Sequence, residues 1–141
     1  MGWVESFYLA RSLDYLIETG KIWWTSMRVL IAEDDPVVAM AMATTVKQAG
    51  FSVAGPVGRV SGALSLIRAG EVDVAVLDAD LHGESSAKIA KALRANRLPF
   101  IVISGYSAEY LGDWLGDATL VGKPCRANRL LAEIERLKLV D

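Results

Sequence analysis

Four largely apolar runs in this chain stop abruptly at residues able to do chemistry. Residues 74–77 are apolar throughout and end at Asp78, with Asp80, Gly83 and the hydroxyls Ser85 and Ser86 close behind. Residues 29–32 end at Glu33-Asp34-Asp35-Pro36. Residues 100–103 end at Ser104-Gly105-Tyr106, and residues 118–121 at Gly122-Lys123-Pro124. A buried strand that presents a polar side chain at its C-terminal tip is the usual way an open α/β sheet builds a site. If these runs are parallel strands of one sheet, Glu33, Asp34, Asp78, Ser104 and Lys123 share one edge. Carboxylates held a few Å apart repel and require a cation. An all-oxygen set with room for water suits Mg²⁺. A carboxylate beside that ion can attack phosphorus and form an acyl phosphate. The metal and a lysine ammonium would neutralise the transferring phosphoryl group, and a serine hydroxyl would donate to one of its oxygens.

The elements that must position these residues follow from periodicity and punctuation. After the first strand, Asp35 is a good N-cap and Pro36 fits the first turn of a helix that runs to about residue 49, with Gly50 as its stop. Residues 51–57 read as a second strand. Val60, Ala63, Leu64 and Ile67 keep helical spacing up to Gly70. Residues 72–77 form a third strand, apolar throughout as a strand covered on both faces should be. A helix over about 85–95 buries Ile89, Ala90 and Leu93. Pro99 leads into the fourth strand, and a weakly patterned helix covers 108–115, with mobility expected around Gly112-Asp113-Trp114. A fifth strand spans 118–121, and a last helix from about 126 to 139 buries Leu130, Leu131, Ile134 and Leu137. Five strands alternating with helices imply α/β architecture, a doubly wound parallel sheet with right-handed crossovers.

Composition sets the outer bounds. A chain of 141 residues, 52% hydrophobic and 23% charged, is the size of one globular domain. A net charge of −2 gives no basic face for nucleic acid. No apolar run is long enough to span a bilayer, and no secretory signal is evident. The single cysteine, Cys125, excludes an intrachain disulfide and fits a cytoplasmic location. Packing is its expected role, and His82, the one histidine, is expected to be a solvated loop residue.

Residues 1–27 stand apart. They hold three of the four tryptophans, Trp3, Trp23 and Trp24. Phe7, Leu9, Leu13, Leu16 and Ile17, with a stop at Gly20, suggest an amphipathic helix from about 6 to 19. This N-terminal helical extension either docks on the domain at 28–141 or on a second copy, or Met27 is the true start and the preceding residues have little role.

Residues 28–139 resemble a receiver domain, the phospho-acceptor module of bacterial two-component systems. The resemblance rests on Glu33 and Asp34 in LIAEDDP, Asp78 in VAVLDADL, Ser104 in PFIVISGY and Lys123 in VGKPC. It implies a flavodoxin-like five-stranded sheet of order 2-1-3-4-5. It also implies that Asp78 accepts a phosphoryl group from a histidine kinase or histidine phosphotransfer protein. Glu33, Asp34, Asp78 and the backbone carbonyl of Asp80 would hold Mg²⁺, Ser104 and Lys123 would bind the phosphoryl oxygens, and Lys123-Pro124 would be joined by a cis peptide. Leu120 departs from the family, which often has an aromatic residue three positions before the lysine. Ser104-Gly105-Tyr106 partly resembles a subfamily of stand-alone receivers with a Thr-Gly-Tyr loop after the fourth strand.

If no output module follows the last helix, signalling would run through protein contact or through draining phosphate from another branch. A homodimer through the N-terminal segment or the face of the fourth and fifth strands is a further expected contact. The alternative is a receiver-like interaction module that needs no phosphate. A phosphatase of the haloacid dehalogenase type shares the Asp78-Ala79-Asp80 spacing, but its Asp pair belongs on a first strand. A flavodoxin would place a hydroxyl- and glycine-rich loop after its first strand, where EDDP would repel phosphate.

Overall fold

The computed structural model describes residues 27–138. The helix expected over residues 6–19 lies outside them, as does the end of the last helix at 139. Strand β1 (Arg28–Ala32) leads into helix α1 (Pro36–Gln48), strand β2 (Ser52–Val57) and helix α2 (Val60–Arg68). Strand β3 (Val74–Asp78) is followed by two very short strands, β4 (Asp80–Leu81) and β5 (Glu84–Ser85), then helix α3 (Ala87–Ala95). Strand β6 (Phe100–Ser104), helix α4 (Ala108–Leu111), a single 3₁₀ turn (Asp113–Leu115), strand β7 (Thr119–Gly122) and helix α5 (Ala127–Leu137) complete the domain.

The five long strands form one parallel sheet in the order β2-β1-β3-β6-β7. Counting long strands alone, this is the expected 2-1-3-4-5. Alternation along each strand splits the core into two layers. Leu30, Ala32, Ala75, Leu77 and Val102 pack with α2 and α3, through residues such as Ile67, Ile89 and Leu93. Val29, Ile31, Val74, Val76 and Ile101 pack with α1 and α5, through Ala43, Val46, Leu130 and Ile134. All five residues of β3 are buried, which explains its apolar run from Val74 to Leu77 ahead of Asp78.

Some expected boundaries shift. The third strand begins at Val74 rather than 72; just before it the Asp73 N–H donates to the Arg28 carbonyl, while the Asp73 carboxylate accepts the Arg28 N–H at 2.8 Å and its Nε at 3.0 Å. The helix after it begins at Ala87 rather than 85, since Glu84 and Ser85 pair with Asp80 and Leu81 in an antiparallel ribbon. The ribbon turns at His82 and Gly83, both with positive φ (52° and 82°). That is the backbone a two-residue hairpin demands; glycine adopts it freely and histidine tolerates it. The helix expected over 108–115 is interrupted at Gly112, whose φ is 92°. Arg94 donates from Nη1 to the Trp114 carbonyl at 2.7 Å and from Nη2 to the Leu115 carbonyl at 2.8 Å, fixing the 3₁₀ turn to α3.

Candidate functional site

The C-terminal ends of β1, β3, β6 and β7 bring together Glu33, Asp34, Asp78, Ser104 and Lys123. Ligand oxygens of Glu33, Asp34 and Asp78 all lie within 4.8 Å of one another. Lys123 Nζ donates to Asp78 Oδ2 at 2.7 Å and sits 3.6 Å from Glu33 Oε1. Asp78 Oδ1 accepts from the Asp80 backbone N–H at 3.2 Å. Asp80 itself is exposed.

Each carboxylate is aimed by backbone donors. Glu33, 4% exposed, accepts the Asp35 N–H at 2.9 Å, and its own N–H donates to the Val57 carbonyl. Asp35 turns away to cap α1, accepting the N–H groups of Val37 and Val38. Asp34 Oδ2 accepts the backbone N–H of His82 at 2.8 Å. The His82-Gly83 turn therefore ties the tip of β1 to the loop after β3. His82 is exposed, as expected, but its contribution is a backbone one that residue type alone does not reveal.

Ser86 was not among the candidate residues, yet it is fully buried and braces the site. Its hydroxyl donates to the Asp78 carbonyl, and its N–H to the Ala79 carbonyl. Ser104, 3% exposed, accepts the Tyr106 N–H on its Oγ at 2.9 Å, while its carbonyl accepts the Lys123 N–H. The hydroxyl hydrogen of Ser104 is not used in that bond and remains able to donate. Lys123-Pro124 is cis, and Gly55-Pro56 is a second cis bond with no counterpart among the expectations. Tyr106 is exposed and stacks on Tyr110 with centroids 4.4 Å apart. Leu120 is half-buried against the α2–α3 layer.

The electrostatics are those of a crowded anionic site. Burial, aided by the nearby charge of Asp78, pushes the Glu33 carboxyl above its ordinary value despite the opposing Asp35 N–H and Lys123. The His82 N–H holds Asp34 below the usual carboxylate range. Burial alone would lower the Lys123 ammonium, but its hydrogen bond to Asp78 and the surrounding carboxylates keep it raised. Cys125, just beyond Pro124, is raised chiefly by burial, consistent with packing rather than thiolate chemistry. One ammonium thus faces three carboxylates. An oxygen-only set of this kind has the chemistry of a hard divalent cation site.

Among the described residues, no helix is long and apolar enough to cross a membrane. The transcriptional regulatory protein PdtaR of Mycobacterium tuberculosis is 26% identical over 112 residues, which cover 77% of this chain and 55% of PdtaR. The chain thus spans about half the length of that relative. SdrG from Sphingomonas melonis Fr1 superposes with a TM-score of 0.69 at 31% identity, over 82% of this chain and 98% of SdrG. A CheY-like receiver domain protein from Methanospirillum hungatei JF-1 superposes with a TM-score of 0.74 at 19% identity, covering 81% and 94% of the two chains, and so speaks for the fold alone. Residues 29–135 match the family model of the response regulator receiver domain, and the chain belongs to that family.

Proposed function

We propose that this receiver accepts a phosphoryl group on Asp78, with Mg²⁺, from a histidine kinase or histidine phosphotransfer protein. The observation that carries this reading is the Asp78 carboxylate at the sheet edge, 2.7 Å from the Lys123 ammonium and inside a three-carboxylate cluster. A carboxylate oxygen of Asp78 forms the new bond to phosphorus. The bond from phosphorus to the donor breaks, and its electron pair leaves with the donor. No proton need be taken from Asp78, so no general base is required. Lys123 holds the nucleophile in place and faces the phosphoryl oxygens as charge shifts onto them, and Ser104 donates its hydroxyl hydrogen to one of them. Glu33, Asp34, Asp78 and the Asp80 carbonyl are the groups that would hold Mg²⁺, which when bound neutralises charge on the carboxylates and the phosphoryl oxygens.

The test is intact mass after incubation with acetyl phosphate. One phosphoryl group is expected with Mg²⁺ and none after chelation, together with Mg²⁺-dependent binding of beryllofluoride. If neither the mass gain nor beryllofluoride binding occurs, the phosphate-independent interaction module replaces this reading.

Asp34→Asn tests the metal role separately from the fold. The amide oxygen keeps the His82 N–H bond but loses the charge. The expected result is a fall in Mg²⁺ affinity of about 10- to 100-fold, roughly 1.4 to 2.7 kcal/mol, with unchanged melting of the metal-free protein. Asp34→Ala should lower affinity comparably and also lower the melting temperature, because the tie to the His82-Gly83 turn goes with it. Titration calorimetry and thermal melts separate the two effects. Unchanged Mg²⁺ affinity in Asp34→Asn would remove Asp34 from the metal set.

A further inference from the structure

Helix α1 is apolar on more sides than the domain uses. Its sequence, PVVAMAMATTVKQ, contains one charged residue, Lys47. Only Ala39, Ala43 and Val46 are buried by the sheet, while Val37 is 77% exposed and Val38 41% exposed. Val37, Val38, Ala41, Met42 and Thr45 line one side of a groove of about 630 Å³, and Cys125 and Leu130 line the other. A helix that is apolar nearly all round is normally covered all round.

The chain carries a segment suited to that groove. At helical spacing, Leu9, Leu13, Leu16 and Ile17 fall at i, i+4, i+7 and i+8, a single apolar stripe, with Arg11, Asp14 and Glu18, together with Phe7, on the opposite side. Connection and reach agree. Met27, where the described chain begins, is buried in the α1–α5 layer rather than the α2–α3 layer. Both α1 and α5 run from the carboxyl edge of the sheet back to the amino edge, where Met27 enters. Seven residues, 20–26, join the stripe to Met27 and span up to about 23 Å. A helix over 6–19 is about 21 Å long, enough to lie along the exposed side of α1.

We propose that residues 6–19 pack as a helix into the α1–α5 groove of their own chain, with Leu9, Leu13, Leu16 and Ile17 covering Val37, Val38, Ala41 and Met42. The occupant is intramolecular, and the groove it fills reaches Glu33 and Lys123 at its upper end. The cover rests on the groove and the stripe, and its consequence for signalling rests on the phosphoryl-acceptor reading above.

Cys125 is the chain's one cysteine and lines the groove, so its labelling by a maleimide reports the cover without ambiguity. In the 141-residue chain the thiol should react slowly. Leu13→Asp/Leu16→Asp on the segment side, or Ala41→Asp on the exposed side of α1, should each raise the rate about tenfold, and combining them should add nothing. Equal rates in wild type and both variants would overturn the proposal. A wild-type rate that falls with rising protein concentration would also overturn it, in favour of a second copy as the cover. Magnesium-dependent beryllofluoride binding, followed in the same samples, keeps the two readings apart. Binding in every variant upholds the phosphoryl site whichever way labelling falls, whereas no binding with a raised labelling rate leaves the cover standing alone.

Discussion

Asp78→Asn is expected to gain no mass from acetyl phosphate under conditions that phosphorylate the wild type completely. An amide oxygen is not a nucleophile toward phosphorus at neutral pH, so the loss is of the reaction itself. The fold should survive. Asp78 is 7% exposed and accepts two bonds, from Lys123 Nζ and the Asp80 N–H. The single amide oxygen of Asn can keep one of them, and Lys123 retains Glu33 as a partner. Removing one of three crowded carboxylates also relieves the repulsion that helps raise Glu33. Melting of the metal-free variant should therefore match or exceed that of the wild type. Magnesium binding should weaken without vanishing, because Glu33 and Asp34 remain. Intact mass and thermal melts with and without Mg²⁺ check all three statements. A full mass gain in the variant would move the acceptor elsewhere, with exposed Asp80 the first residue to replace.

The edges of this site are legible in the sequence because parallel strands share a direction. Once residues 29–32, 74–77, 100–103 and 118–121 are read as parallel strands, Glu33, Asp34, Asp78, Ser104 and Lys123 must lie along one edge. No knowledge of packing is needed for that step. The residues that hold the set in register are less visible. Ser86 braces the Asp78 carbonyl, but its sequence neighbourhood is that of an ordinary helix start, and only the ribbon brings it back beneath the strand tip. The ribbon has two residues per strand, too few for alternation to register. Its one signal is His82-Gly83, a pair able to adopt positive φ at both turn positions. The break in the 108–115 helix likewise depends on a distant residue. Gly112 permits the left-handed turn, but Arg94, eighteen residues earlier, supplies the donors that make the 3₁₀ turn the better end. Side-chain reach across elements is what sequence periodicity leaves out.

Lys123→Ala should move metal binding and phosphoryl acceptance in opposite directions. Among the described residues, the ammonium is the one cation set among Glu33, Asp34 and Asp78, and it is itself held raised by them. Without it the three carboxylates, oxygens within 4.8 Å, face one another unscreened. The metal-free protein should melt lower, by an amount moderated because the lysine side chain is 38% exposed. A divalent cation then relieves more repulsion than it does in the wild type, so Mg²⁺ affinity should rise. Phosphoryl transfer should nonetheless slow by about 100- to 1,000-fold, the usual cost of removing one preorganised donor from developing negative charge. Tighter metal with slower chemistry is the signature that separates a phosphoryl-oxygen ligand from a lysine that merely balances charge. If Lys123 only balanced the carboxylates, saturating Mg²⁺ would restore the wild-type rate. Time courses of mass gain at saturating Mg²⁺, set beside calorimetric Mg²⁺ affinities, decide between the two roles.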